Sequence, residues 1–158
     1  MVLEKQLFLF LNIVHSSMKQ LMSDSFRKGG FKLSPEQFLV MDTLWDEGVL
    51  TQQQIADITM RDKNSIVKLI DGLESRKLVK RVSNPEDRRQ NLIKVTPYSM
   101  KIRDDVETIA YESVYKIIWE ISRDDLKLFV RVLAAMERNM NPSSDLEALA
   151  EKYPTKKN

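Results

Sequence analysis

At Leu78 the hydrophobic pattern of this chain changes period. Upstream, apolar residues recur at three- and four-residue spacings; "LVKRVSN" (residues 78–84) and "NLIKVT" (91–96) then alternate, and after Thr96 the helical spacing returns. Alternation sends successive side chains to opposite faces of a strand, so two such runs around a short polar loop predict a β-hairpin. The fold class that follows is mainly α with one small hairpin. The loop, "PEDRR", carries two arginines behind two acids, more charge than a turn requires.

The helical part is punctuated clearly. Residues 3–26 read as a helix with Leu3, Leu7, Phe10, Leu11, Val14, Met18, Leu21 and Met22 on one stripe, widened by Phe8, Leu9 and Ile13. A helix apolar on more than one side packs against more than one neighbour. "SPEQ" (34–37) is a helix start, with Ser34 as N-cap, Pro35 at the first helical position and Gln37 completing a capping box. That helix should run to about Glu47 and stop at Gly48. "TQQQ" (51–54) repeats the spacing and opens a short helix, Gln52 to Thr59. Asp62 can cap the next one, whose Ile66, Leu69, Ile70 and Leu73 form a buried face opposite Asn64, Lys68, Asp71 and Ser75. Thr96 and Pro97 begin a helix expected to carry apolar residues through Ile118 and Ile121. Ser122 and Asp125 begin the last long helix, with the stripe Leu126, Phe129, Val130, Leu133, Met136 and Met140, ended by Asn141 and Pro142. A turn or two of helix is expected from Ser144 in an otherwise loose tail.

Charge divides unevenly along the 158 residues. Residues 61–103 hold twelve basic and five acidic side chains, a net +7 against −5 for the rest, which suggests a polyanion-facing module carried on another structure. With no cysteine and a single histidine, disulfides, zinc ribbons and thiol redox sensing are excluded. No glycine-rich phosphate loop, metal-ligand cluster or nucleophile–base pair is present, so no catalytic or metal-binding residues and no cofactor are expected. The apolar N-terminal run is too short to span a bilayer and fits a secretory signal poorly, which favours a cytoplasmic protein with no membrane partner.

A short helix, a tight turn and a second helix with a polar outer face are what a helix-turn-helix needs to lay one helix in the major groove, and a hairpin with a basic tip makes it a winged version. An arginine at the tip would enter the minor groove and gain from its negative potential. Asp87 repels phosphate and is better read as a brace, holding an arginine by a charge-assisted hydrogen bond.

These residues resemble the MarR family of bacterial transcription regulators. The resemblance runs through "DKNSIVKLIDGLESRKLVKRVSNPEDRRQNLIKVT" (62–96), with its acid–x–arginine wing and closing Thr, and the helix order on both sides agrees through Met140. It implies a winged helix-turn-helix lobe, residues 34–96, joined to a helical dimerisation region, residues 1–33 and 97–141, with residues 142–158 as a C-terminal tail. The DNA-binding set it implies is Thr51, Gln52, Lys63, Asn64, Ser65, Lys68, Arg88 and Arg89, with Arg89 in the minor groove and Arg81 and Asp87 supporting the wing. Members are homodimers, so double-stranded DNA with an imperfect palindrome is the expected partner, the half-sites about 34 Å apart. The resemblance further implies a repressor relieved by a small aromatic or phenolic effector, for which His15, Met18 and Trp45 are candidate pocket residues. His15 otherwise reads as a packing residue, and Trp45, Phe31 and Phe38 as core. Val67, Gly72, Lys77 and Ser99 depart from the family pattern, where Thr, Arg, Gly and Gly are usual. The rival reading is a winged-helix module that binds protein, which has no need of a +7 middle or a paired-arginine wing.

Overall fold

The computed structural model describes residues 2–146 and residue 148. Its elements are α1 (Val2–Lys28), α2 (Pro35–Glu47), β1 (Leu50–Thr51), α3 (Gln52–Ile58), α4 (Lys63–Ser75), β2 (Val79–Ser83), β3 (Asn91–Val95), α5 (Pro97–Ile117) and α6 (Arg123–Met140). They fall into two compact units, one through Ile117 and one from Ile118 onward.

In the first unit the predicted caps form in full. Ser34 Oγ accepts from the Gln37 amide (3.1 Å) while Gln37 Oε1 accepts from the Ser34 amide (3.2 Å), and Thr51 and Gln54 repeat the exchange at α3 (3.1 and 2.8 Å). Each box satisfies donors that the first helical turn leaves without partners. Gly48 ends α2 at φ +86°, a conformation that suits glycine because it has no Cβ. Val40, Met41, Leu44, Ile55, Ile66, Ile70 and Leu73 then close on Val79 and Ile93 of the hairpin and on Phe26, Val106 and Ala110 of α1 and α5, giving one core. Phe31 and Phe38 pack against it, and the Phe38 ring lies 5.4 Å from that of Phe26.

The sheet has three antiparallel strands rather than the hairpin's two. Its order is β1-β3-β2, with Leu50 opposite Ile93 and Val79 to Ser83 opposite Val95 to Asn91. β1 is two residues long, too short for an alternating pattern to be read.

Ser99, where glycine is usual in the resembling family, has a clear use. Its buried hydroxyl accepts a hydrogen bond from the Trp45 indole at 3.0 Å, satisfying a donor that would otherwise be stranded in the core. Beside it Arg103 stacks over the Trp45 ring, 5.9 Å from its centroid, and donates to the Trp45 carbonyl (3.0 Å), Asp46 (2.7 Å) and the buried Glu107. The guanidinium thus ties α5 to the C-terminal end of α2, where the helix dipole favours a cation.

α5 stops at Ile117, short of the expected Ile118 and Ile121. Just past it Glu120 takes φ +62° and the Ile121 amide bonds the Ile118 carbonyl at 3.1 Å, a turn with no glycine to mark it. In the second unit, Ser122 caps α6 through the Asp125 amide (3.1 Å) and Asn141 ends the helix. In the tail, the Ala148 amide bonds Asp145 at 2.9 Å. The rest of the expected tail helix lies outside the described residues.

Lys77 is left-handed at φ +60°, in the turn that sends the chain from α4 into β2; its amide bonds the Glu74 carbonyl and that of Leu78 bonds Leu73. A Cβ in this region costs about 1 kcal/mol. Lys77→Gly should therefore raise stability by about that amount. The check is a higher urea midpoint at unchanged slope; an equal or lower midpoint would show that the turn carries no strain.

Candidate nucleic-acid interface

The helix that would enter a groove is fixed at its start by Asp62. Its carboxylate accepts from the Ser65 amide (2.9 Å) and hydroxyl (2.5 Å), and these bonds hold its pKa below the usual aspartate range, the hydroxyl contributing most. Ile66, Ile70 and Leu73 anchor α4 in the core, leaving Asn64, Lys68, Asp71 and Ser75 exposed, as the spacing predicts; Lys63, which flanks the buried face, is exposed too.

The hairpin is tied to this helix by Arg81. From β2 its guanidinium reaches back to Glu74 and to Asp71 (2.5 Å), and its amide bonds Glu74 at 2.9 Å. Both carboxylates on the outer part of α4 are thereby paired, so the negative charge that would oppose a polyanion is offset within the fold. The helical spacing alone places Asp71 on the open polar face without its partner; the pairing depends on which side of β2 faces α4.

The wing loop is built by two turn residues. Asn84 Oδ1 accepts from the Glu86 amide at 3.0 Å, and the Gln90 amide bonds the Asp87 carbonyl at 3.0 Å. Asp87 grips Arg89 three times, through its amide (3.0 Å), Nε (3.0 Å) and Nη2 (3.3 Å), and also accepts from Gln90 Nε2 at 3.2 Å. The Arg89 side chain is nonetheless 90% exposed, so it is oriented without being covered. Arg88 beside it is also exposed.

The remaining predicted contacts are less free. Ser65 is half-buried and donates its hydroxyl to Asp62, while Thr51 is half-buried and its oxygen accepts from Gln54. Gln52 is half-buried at the start of α3. Gly72 lies under Gln37: a Cβ there would sit 2.7 Å from Gln37 Nε2. Gln37 Oε1 serves both its capping box and Arg76 (3.0 Å), so a larger residue at position 72 would disturb the start of α2.

Of the effector-pocket candidates, Trp45 is buried in the core, Met18 is half-buried and His15 is exposed. None of them lines either of two overlapping clefts, of about 500 and 240 Å³, found among the described residues. These share Gly30, Phe31, Lys32, Leu33 and Arg76; Arg27 and Gln37 extend one, Tyr98 and Ile102 the other. No helix of the described residues is long and apolar enough to cross a membrane.

Residues 33–90 match the model of the MarR family, the segment that runs from the start of α2 through the wing arginines. Over these residues the chain is similar to the MarR family. Similarity extends past the matched segment. The HTH-type transcriptional regulator MhqR of Bacillus subtilis (strain 168) is 25% identical over 134 residues, 85% of this chain and 91% of that protein. A mutant MarR from E. coli, solved in complex with operator DNA, has a TM-score of 0.76 at 17% identity and covers 83% of this chain and 93% of its own. BpsR of Bordetella bronchiseptica, whose DNA binding is regulated by 6-hydroxynicotinic acid, has a TM-score of 0.74 at 20% identity, over 86% of this chain and 92% of its own. These two structural likenesses, both below 25% identity, show a shared fold.

The Asp87–Arg89 pair gives the wing a defined pH response. Because Arg89 holds the Asp87 carboxyl below the usual range, the brace is intact at neutral pH and is lost only as pH falls through that lowered value. Followed by NMR at Arg89 Nε–H, the transition should be centred below about 3.9, the ordinary aspartate value, and should vanish in Asp87→Asn. A midpoint at or above the ordinary value would mean that the brace does not form in solution.

Proposed function

We propose that this chain is a member of the MarR family and a sequence-specific, double-stranded DNA-binding transcription regulator, a repressor released by a small-molecule effector. The observation that carries this reading is the wing: an exposed arginine pre-oriented by Asp87, on a hairpin fastened to the recognition helix by Arg81. Lys63, Asn64 and Lys68 of α4 enter the major groove, Arg89 the minor groove, and Arg88, Thr51, Gln52 and Ser65 meet the backbone. Ordering Arg89 in advance lowers the side-chain entropy lost on insertion.

Residues 34–96 are the DNA-binding region in this reading, and residues 1–33 and 97–141 make a homodimer. Leu3, Leu7, Phe8, Phe10, Ile13 and Val14 are exposed on α1, an apolar surface that a second copy would cover. The dimer sets two recognition helices about 34 Å apart, so the operator is an imperfect palindrome. The protein acts in the cytoplasm, where its DNA is. As effector we propose a small aromatic or phenolic compound. The cleft of Phe31, Lys32, Arg76 and Tyr98 supports an aromatic anion better than His15, Met18 and Trp45 do, and Arg76 is the residue that ends α4.

On an operator selected from random duplexes, Arg89→Ala should weaken binding by about 1–3 kcal/mol, the value of a specific groove contact. Equal affinity in fluorescence anisotropy would remove Arg89 from the reading surface.

A further inference from the structure

Lys80 and Lys94 stand directly opposite each other in the antiparallel register of β2 and β3, so both side chains leave the same face of the hairpin. Both are exposed, and neither forms an ion pair among the described residues. Like charges at directly opposed positions destabilise a sheet, and here nothing on the hairpin offsets them. The adjoining pair, Arg81 and Ile93, occupies the other face, where Ile93 is buried in the core and Arg81 bonds α4. The lysine pair therefore looks away from the recognition helix.

That direction selects the partner. If α4 lies in the major groove and Arg89 in the next minor groove, the side of the wing turned away from α4 faces the sugar-phosphate strand beyond that minor groove, outside the half-site. Lys80 is four residues before Asn84, where the wing loop begins, a distance of about 13 Å along a strand, which is within reach of the far strand. We infer that Lys80 and Lys94 form a clamp for the phosphates of DNA flanking the operator, an inference that rests on the DNA-binding reading above. The flanking phosphates supply the counter-charge that the fold omits, and the contact extends the footprint without reading sequence. The repulsion in the free protein is then the cost of holding two ammonium groups ready for one backbone.

The test uses the full chain, Lys80→Gln, Lys94→Gln and the double variant, on two duplexes: the selected operator ending at the wing-contacted minor groove, and the same operator lengthened by about half a helical turn, some 5 base pairs, at each end. Wild type should bind the longer duplex more tightly, and the double variant should lose that gain while still binding the shorter one. The slope of log K against log salt on the longer duplex should shrink by about 0.9 for each phosphate that a variant no longer neutralises. Free double variant should show a higher urea midpoint than wild type, which separates relief of repulsion from misfolding. An undiminished gain from the flanks with an unchanged salt slope would overturn the clamp and leave the pair for an acidic protein partner. Failure of wild type to bind even the shorter duplex would overturn the DNA-binding reading itself, and the clamp with it.

Discussion

Arg81 holds together the two elements that, in the proposed function, meet a double helix in one fixed registration. A recognition helix and a wing address neighbouring grooves, and their relative position has to be set before binding if ordering is not to be charged against affinity. The guanidinium of Arg81 spans Asp71 and Glu74 from the middle of β2, and its own amide adds a further bond to Glu74. This side chain is 22% exposed, so solvent screens the pair less than it would a surface ion pair. The same contact neutralises both acids on the outer part of α4, leaving Lys63 and Lys68 to define the charge of the face.

Around that joint, polar side chains are spent on local order. Gln37 caps α2, accepts from Arg76 and covers Gly72 with one amide group. Ser99 closes the indole of Trp45, and Arg103 fastens α5 to the end of α2. The Gln37–Arg76, Trp45–Ser99 and Arg103–Asp46 bonds each join elements that also meet in the core. The wing tip follows the same logic at the surface: Asp87 organises the turn and aims Arg89 without covering it.

Much of this was legible in the sequence because it is local. Both capping boxes, the change of period at Leu78 and the brace in "EDRR" involve residues two to four apart, and local spacing determines such contacts. The left-handed turn at Lys77 was foreseeable from the residue type that usually stands there, whereas Glu120 is left-handed just past α5 with no comparable mark, so the expected helix ran too far. Contacts between distant segments were not readable. Trp45 and Ser99 are 54 positions apart, the partners of Arg81 lie seven and ten residues upstream on another element, and β1 is too short to show a period. Ser65 was readable as a polar residue near the helix start, but not as one whose hydroxyl is already given to Asp62.

The proposed property is recognition of a particular DNA sequence by α4 and the braced wing. Its most direct test is fluorescence anisotropy of the purified protein against the DNA immediately upstream of its own gene, with operators selected from random sequence alongside and scrambled duplexes as reference, over a salt series. A sequence-specific regulator binds at least one of the first two more tightly than scrambled DNA, with affinity falling steeply and linearly in log salt as counterions are released. Equal binding to all duplexes, or none at low salt, would contradict it.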